Sequence, residues 1–409
     1  MKKELLSNNI ELVIKQNPKT PRIALDVAFE LNIKENKPGL YSIMNRLLSQ
    51  GTTNRTAEEI ASELEENAIE CYSTIHNDYL SFSVVCLNET LETALEILSD
   101  IIQNSHFKNF DKEVYKMKGE FEAELDSPKV LASDNYMRTI FKNHFYGNTY
   151  TKILESIDSI TADEVSSAYR ELCDNSRKVI TVVGDFEEDY IKGLLERKFK
   201  FLKSAPAIKP SSNFLTLDET VISTVKKENA QQAQIIKGWL VPSLYSAEYP
   251  AFVVMNSILG SSGLSSRLFT ELREKRGLAY TVRSRYETSA QAAHFNVYIG
   301  TEPRNIKVAL QGFDTETEKI RNYPVSDVEL EHGINNVIGK KMFFSETNSQ
   351  QSNLLSFYEA YSLGYDYYDK FIQNIKAVTK EDILNAANKY LNNTYVLTIL
   401  APEKYLENL

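Results

Sequence analysis

A chain of 409 residues, 42% hydrophobic and 25% charged, has material for two or more packed domains and the balance of an ordinary globular protein. Its formal net charge of −10, from 56 acidic and 46 basic residues with no long run of one sign, argues against nucleic-acid binding and would at most favour basic peptides. The three cysteines, Cys71, Cys86 and Cys173, are scattered and odd in number, which suits buried thiols rather than a disulfide frame or a CxxC metal site.

The N-terminal stretch carries two lysines but no apolar run of signal-peptide length, and no later stretch approaches a membrane span. The expected location is the cytoplasm, or the periplasm or exterior if a leader has been removed, with no membrane partner.

In chain order, Ile10, Leu12 and Ile14 alternate with Glu11, Val13 and Lys15. A turn at Asn17-Pro18 and the run IALDVAFEL follow, so an entrance β-hairpin is expected. After Lys37-Pro38-Gly39, the residues Leu40, Ile43, Met44, Leu47 and Leu48 recur at helical spacing, and Thr56 with Glu59 makes a capping box for a second helix. Two strand-like runs, IECYSTI and YLSFSVVCL, turn around His76-Asn77-Asp78. The helical LETALEILSDIIQ and the charged helix FDKEVYKMKGEFEAELDS lead to Pro128. A helix opened at Thr161 and the apolar strand KVITVVGDF close the first half.

That closing unit recurs: ITADEVSSAYRELCDNSRKVITVVGD from Ile160 lies beside VTKEDILNAANKYLNNTYVLTILAPE from Val378. The same offset of roughly 210 to 220 residues brings Met44-Asn45 onto Met255-Asn256, which argues for a duplicated domain. The Pro/Ser-rich segment Ser204 to Phe214 separates the halves as a linker. The expected fold is α+β, with domains at 1–203 and 215–409, each a mostly antiparallel sheet layered with helices.

In the second half, LGSSGLSSRLFTELREKRGLAY (Leu259 to Tyr280) reads as a loop with Gly260 and Gly263, then a helix opened by Ser265 or Ser266. Leu268, Phe269 and Leu272 form its apolar face and Gly277 stops it. Arg273, Lys275 and Arg276 suit the negative end of the helix dipole, and by pattern alone they are a solvated charged terminus. The strand begins directly afterwards, so Arg273 and Tyr280 can converge.

This stretch closely resembles the second-half motif of the pitrilysin/insulinase family of inverzincin metallopeptidases, particularly its small bacterial members and the mitochondrial processing peptidases. The similarity extends over essentially the whole chain. It implies two halves facing each other as a clamshell, with an Arg and a Tyr placed like Arg273 and Tyr280 reaching the zinc site of the opposing half to hold substrate or transition state.

The family's first half carries HxxEH on a helix, two imidazoles binding zinc and a Glu acting as general base. Here the matching frame is Gly39-Leu40-Tyr41-Ser42-Ile43-Met44-Asn45-Arg46. Ser42 and Arg46 stand at the two His positions, Asn45 at the Glu position, and Glu120 aligns with the third ligand. A hydroxyl binds zinc poorly, a guanidinium repels it and an amide is no base at neutral pH. No metal ligand is assigned, and Glu120 is expected to be a solvated helix carboxylate. The scattered histidines (His76, His106, His144, His294, His332) are expected on loops or strands, and no nucleophile motif replaces the lost chemistry.

The resemblance then implies a zinc-free subunit, inactive alone and without a cofactor of its own. It would lend Arg273 and Tyr280 to an HxxEH-bearing, zinc-holding homologue that cleaves peptides bound as an added strand. Tyr72 and Ser73 depart from the family's usual Asn-Ala near its own edge strand. The alternative is a catalytically inactive peptide-binding or scaffold protein, a homodimer or a complex core subunit, in which Arg273 and Tyr280 are remnants.

Overall fold

A computed structural model describes residues 1–31, 35–207 and 215–407. Most of the predicted linker, 208–214, lies outside the described residues.

The first sheet contains β1 (Lys2–Leu5), β2 (Glu11–Gln16), β3 (Arg22–Glu30), β4 (Glu70–Ile75), β5 (Tyr79–Leu87) and β6 (Lys178–Gly184), in the order β1-β2-β6-β3-β5-β4. Only the β2–β6 pair is parallel. The entrance hairpin is therefore β1–β2, and the expected pairing of β2 with β3 does not form. β6 lies between them because all seven of its residues are buried, a strand that needs neighbours on both sides. For the same reason Val13, assigned to the solvent side by alternation, is buried together with Leu12 and Ile14.

The second sheet repeats this plan with five strands: β7 (Val221–Lys226), β8 (Ala233–Val241), β9 (Ala279–Thr288), β10 (Ala293–Thr301) and β11 (Val396–Ala401). Their order is β7-β11-β8-β10-β9, and only β7–β11 is parallel. The duplication reaches individual contacts. Met44 and Met255 are both fully buried. Asn45 Nδ2 donates to Ser73 O at 3.5 Å, and at the same spacing Ser284 Oγ donates to Asn256 Oδ1 at 2.7 Å. Thr161 with Glu164 and Thr379 with Asp382 form matching capping boxes.

Two compact units result, and neither is a continuous piece of chain. One comprises Met1–Glu120, Lys152–Lys209 and Met342–Tyr367; the other Phe121–Thr151, Pro210–Lys341 and Tyr368–Leu409. Each half of the chain gives one helix to the other half's sheet. Helix Pro128–Ile140 covers β8 and β11 through Ala132, Tyr136 and Ile140, packed with Ile236, Tyr298, Val396 and Leu400. Helix Asn348–Ala360 covers β3 and β6, and its seat joins an apolar contact of Leu355 with Val13 and Val183 to several polar pairs. Thr181 and Ser352 hydroxyls meet at 3.0 Å, Asn348 Nδ2 donates to Arg22 O at 2.9 Å, and Arg177 Nη1 donates to Glu359 O at 2.7 Å. Among the described residues no helix is long and apolar enough to cross a membrane.

Candidate functional site

Helix Leu40–Leu48 buries Leu40, Ile43, Met44, Leu47 and Leu48, as the spacing predicts. Ser42, Asn45 and Arg46 consequently project from its other face and are half-buried. Arg46 reaches across to helix Phe110–Leu125, where its Nη1 and Nη2 donate to the two carboxylate oxygens of Glu120 at 2.7 and 2.8 Å. Glu120 is a solvent-exposed helix carboxylate, as the sequence leads one to expect, but a two-pronged guanidinium holds it, and hydrogen bonds from Arg46 keep its carboxyl below the usual range. Arg46 Nε also lies 3.6 Å from the Glu113 carboxylate, which is almost fully buried and takes Lys116 Nζ at 2.7 Å.

Zinc does not fit these residues. A permanent cation already neutralises the carboxylates, no imidazole faces them, and the buried Asn45 Oδ1, which has no partner, is a weak neutral donor. Among the described residues no group of three or more His, Cys, Asp or Glu side chains could hold a metal. The histidines are engaged elsewhere. His294 is buried on β10 with Nδ1 at 3.1 Å from Tyr136 Oη, and His332 sits on a helix, Asp327–Phe343, rather than on a loop or strand. The cysteines are free thiols, and burial pushes Cys71 and Cys86 up to about 12 and Cys173 up to about 11, so none is a ready nucleophile.

In the other unit the Leu259–Tyr280 stretch folds as a helix, loop, helix and strand. Ser266 opens the second helix: its Oγ donates to Gly263 O at 2.8 Å and its carbonyl accepts from Thr270 N at 3.0 Å. The helices on both sides of the loop widen into π-turns: Ser257–Ser261 takes in Gly260, expected in the loop, and Phe269–Glu274 stands where a regular α-helix is expected from the sequence. A π-turn accommodates one extra residue. It keeps Leu268, Phe269 and Leu272 in the core while Leu278 N returns to Leu272 O at 2.9 Å. Gly277 stops the helix at φ 63°, a left-handed cap that L-residues other than Asn rarely adopt. At Gly260 a Cβ would stand 2.2 Å from the backbone N of Ser284 on β9, so only glycine allows the approach.

Arg273 and Tyr280 come together. The guanidinium carbon of Arg273 lies 4.7 Å from the Phe269 ring centroid and 4.6 Å from that of Tyr280, and Nη1 donates to Tyr280 O at 2.8 Å. Ring stacking plus one hydrogen bond fixes the fork in place. Among the described residues no carboxylate pairs with Arg273, and Tyr280 is 78% exposed. The arrangement presents unused N–H donors and a phenol side by side. The pattern of apolar residues puts Phe269 on the buried face, and its i,i+4 spacing to Arg273 is the one sequence signal for the aromatic floor it provides.

Residues 13–152 match the family described as insulinase (peptidase family M16), and residues 159–337 match the peptidase M16 inactive domain. The chain is 25% identical over 411 residues to an uncharacterized zinc protease of Rickettsia felis, covering 97% of this chain and 96% of that one. It is 21% identical over 407 residues to an uncharacterized zinc protease of Bacillus subtilis, covering 98% of each. Among solved structures, a peptidase M16 inactive domain from Pseudomonas fluorescens superposes with TM-score 0.88 at 21% identity over 98% of both chains. A protease from Helicobacter pylori superposes with TM-score 0.87 at 19% identity over 98% and 99%. These structural likenesses establish the fold.

Proposed function

This chain belongs to the insulinase (M16) family of peptidases, and from that premise we propose that it is the zinc-free subunit of a two-chain metallopeptidase. The observation that carries the reading is the contrast between its two half-sites. Arg46 closes the zinc frame of the first half onto Glu120, whereas Arg273 is held ready between two rings beside an exposed Tyr280.

In this reading a homologous HxxEH-bearing subunit holds the zinc and the general base. Arg273 donates to a peptide carbonyl as negative charge develops on its oxygen, and the Tyr280 hydroxyl donates from the adjacent position. Donors placed in advance of the reaction need no reorganisation during it, and removing one such donor costs roughly 10²- to 10³-fold in kcat. The relatives' description as zinc proteases agrees with a peptidase context, and the poor ligands Ser42, Asn45 and Arg46 support a reading in which the partner holds the metal.

The test is affinity capture from native cells followed by reconstitution of the recovered pair. A similar-sized HxxEH protein in equal amount is expected, and Arg273→Ala or Tyr280→Phe should lower kcat by about 10²-fold with unchanged assembly. Recovery of the chain alone, or unchanged turnover in both variants, would transfer the function to the alternative, a non-catalytic peptide-binding scaffold.

A further inference from the structure

β9 closes one side of the second sheet and, among the described residues, pairs only with β10, so its outer row of backbone N–H and C=O groups is an edge that an extended peptide can join. Along it Thr281, Arg283, Arg285 and Glu287 alternate onto one face, with Arg283 opposite Tyr298 and Arg285 opposite Asn296. That face carries helix Pro128–Ile140, since Tyr298 packs with Ala132 and Tyr136.

Two cations converge on one ring there. The Arg283 guanidinium carbon is 5.4 Å from the Tyr298 centroid and Lys129 Nζ is 5.8 Å from it. Lys129 also lies in the first turn of its helix, a turn without an acidic residue, at the end where a cation is disfavoured. Arg285 has Glu287 at 3.2 Å. Among the described residues, neither the exposed Lys129 nor Arg283 has a carboxylate within ion-pair distance or a hydrogen-bond acceptor, Glu287 acts on Arg283 only through space, and the buried Arg283 Nε has no hydrogen-bond partner. Burial, and then the neighbouring Arg283 and Arg285 charges, push Lys129 down from its ordinary value. Burial and then Arg285 do the same to Arg283. Glu287, paired with Arg285, offsets only part of the charge of these three crowded cations, so an added anion is favoured there.

We propose that Lys129, Arg283 and Arg285 form a subsite for the carboxylate of an acidic residue in an extended peptide added along β9. Glu287, two residues beyond Arg285 on the same face, repels a second acid, so the subsite selects a single acidic side chain rather than a polyanion. The inference deepens the peptide-handling reading above and rests on it, and it reverses locally the preference for basic peptides that net charge alone suggests.

Binding of fluorescent extended peptides to the isolated chain, read by anisotropy, tests it. A peptide with one central Glu is expected to bind about ten-fold more tightly than its Gln counterpart at low salt, and the difference should shrink as salt is added. Lys129→Gln with Arg283→Gln should abolish the difference without lowering the melting temperature; Arg283→Lys should keep it; Arg283→Glu should favour a Lys peptide. Equal affinity for the Glu and Gln peptides, no binding, or a Glu preference that survives Lys129→Gln with Arg283→Gln would overturn the proposal. So would displacement by inorganic phosphate or acetate at peptide-like concentrations, which would make a free small anion the ligand. Neither partner nor turnover enters the measurement, so its failure leaves Arg273 and Tyr280 untouched, and their failure leaves this subsite standing.

Discussion

Arg46 carries a charge that no proton release near neutrality can remove, and it sits among carboxylates of unequal exposure. Glu120 keeps 56% of its side chain exposed while Glu113 keeps 4%. Replacing Glu120 by Gln removes a wet partner and should cost under about 1 kcal/mol. Replacing Arg46 by Met leaves Glu113 with Lys116 alone and should cost about 1–3 kcal/mol; urea melts of the two variants decide the order. Wild-type protein should bind no stoichiometric zinc. The triple change Ser42→His, Asn45→Glu and Arg46→His should bind about one equivalent, because it restores two imidazoles at i and i+4 facing the retained Glu120. Metal analysis showing no zinc in the triple variant would mean that the two helices no longer keep the spacing of a zinc frame.

At the scale of elements, the seat of helix Asn348–Ala360 contains an ionisable group. Asp26 on β3 is 2% exposed, and burial pushes its carboxyl up to about 6 against the pull of hydrogen bonds from Ser352 and Ser83. The folded carboxyl therefore keeps its proton to higher pH than the unfolded one. Its contribution to stability is full below the ordinary Asp value and is lost as pH rises through about 6. Asp26→Asn keeps the shape and an acceptor without the charge. It should raise stability by about 2 kcal/mol at pH 7–8 and flatten the decline between pH 4 and 6.5. Melts across that range that fall equally in wild type and variant would show that Asp26 is not the source.

For the whole molecule, the exchange of helices means that a cut in the linker does not release two self-sufficient pieces. A fragment 1–207 would expose the β3–β6 face that Asn348–Ala360 covers, and 215–409 would lose the apolar cover of Pro128–Ile140. Neither fragment is expected to melt cooperatively alone, whereas the two co-expressed should copurify and regain a single transition. Cooperative folding of either fragment by itself would show that its sheet does not depend on the exchanged helix.

The sequence by itself determined what depends on near neighbours and on residue chemistry. Helical periodicity set the buried face of Leu40–Leu48, capping residues set helix starts at Thr56, Thr161 and Thr379, and Gly277 set a stop. Internal similarity gave the duplication, and the residue types at 42, 45 and 46 put no imidazole and no general base in the frame where the family carries them. Only the tertiary structure decided which surfaces meet. Periodicity records that β6 is buried on both faces, not that it enters between β2 and β3. It records two amphipathic helices, not that they trade sheets. Charge pattern leaves Arg46 as a solvated side chain, because the carboxylates of Glu113 and Glu120 that hold it lie tens of residues away. Such pairings follow from loop closure and competition among many compatible faces, and no local window of sequence contains those terms.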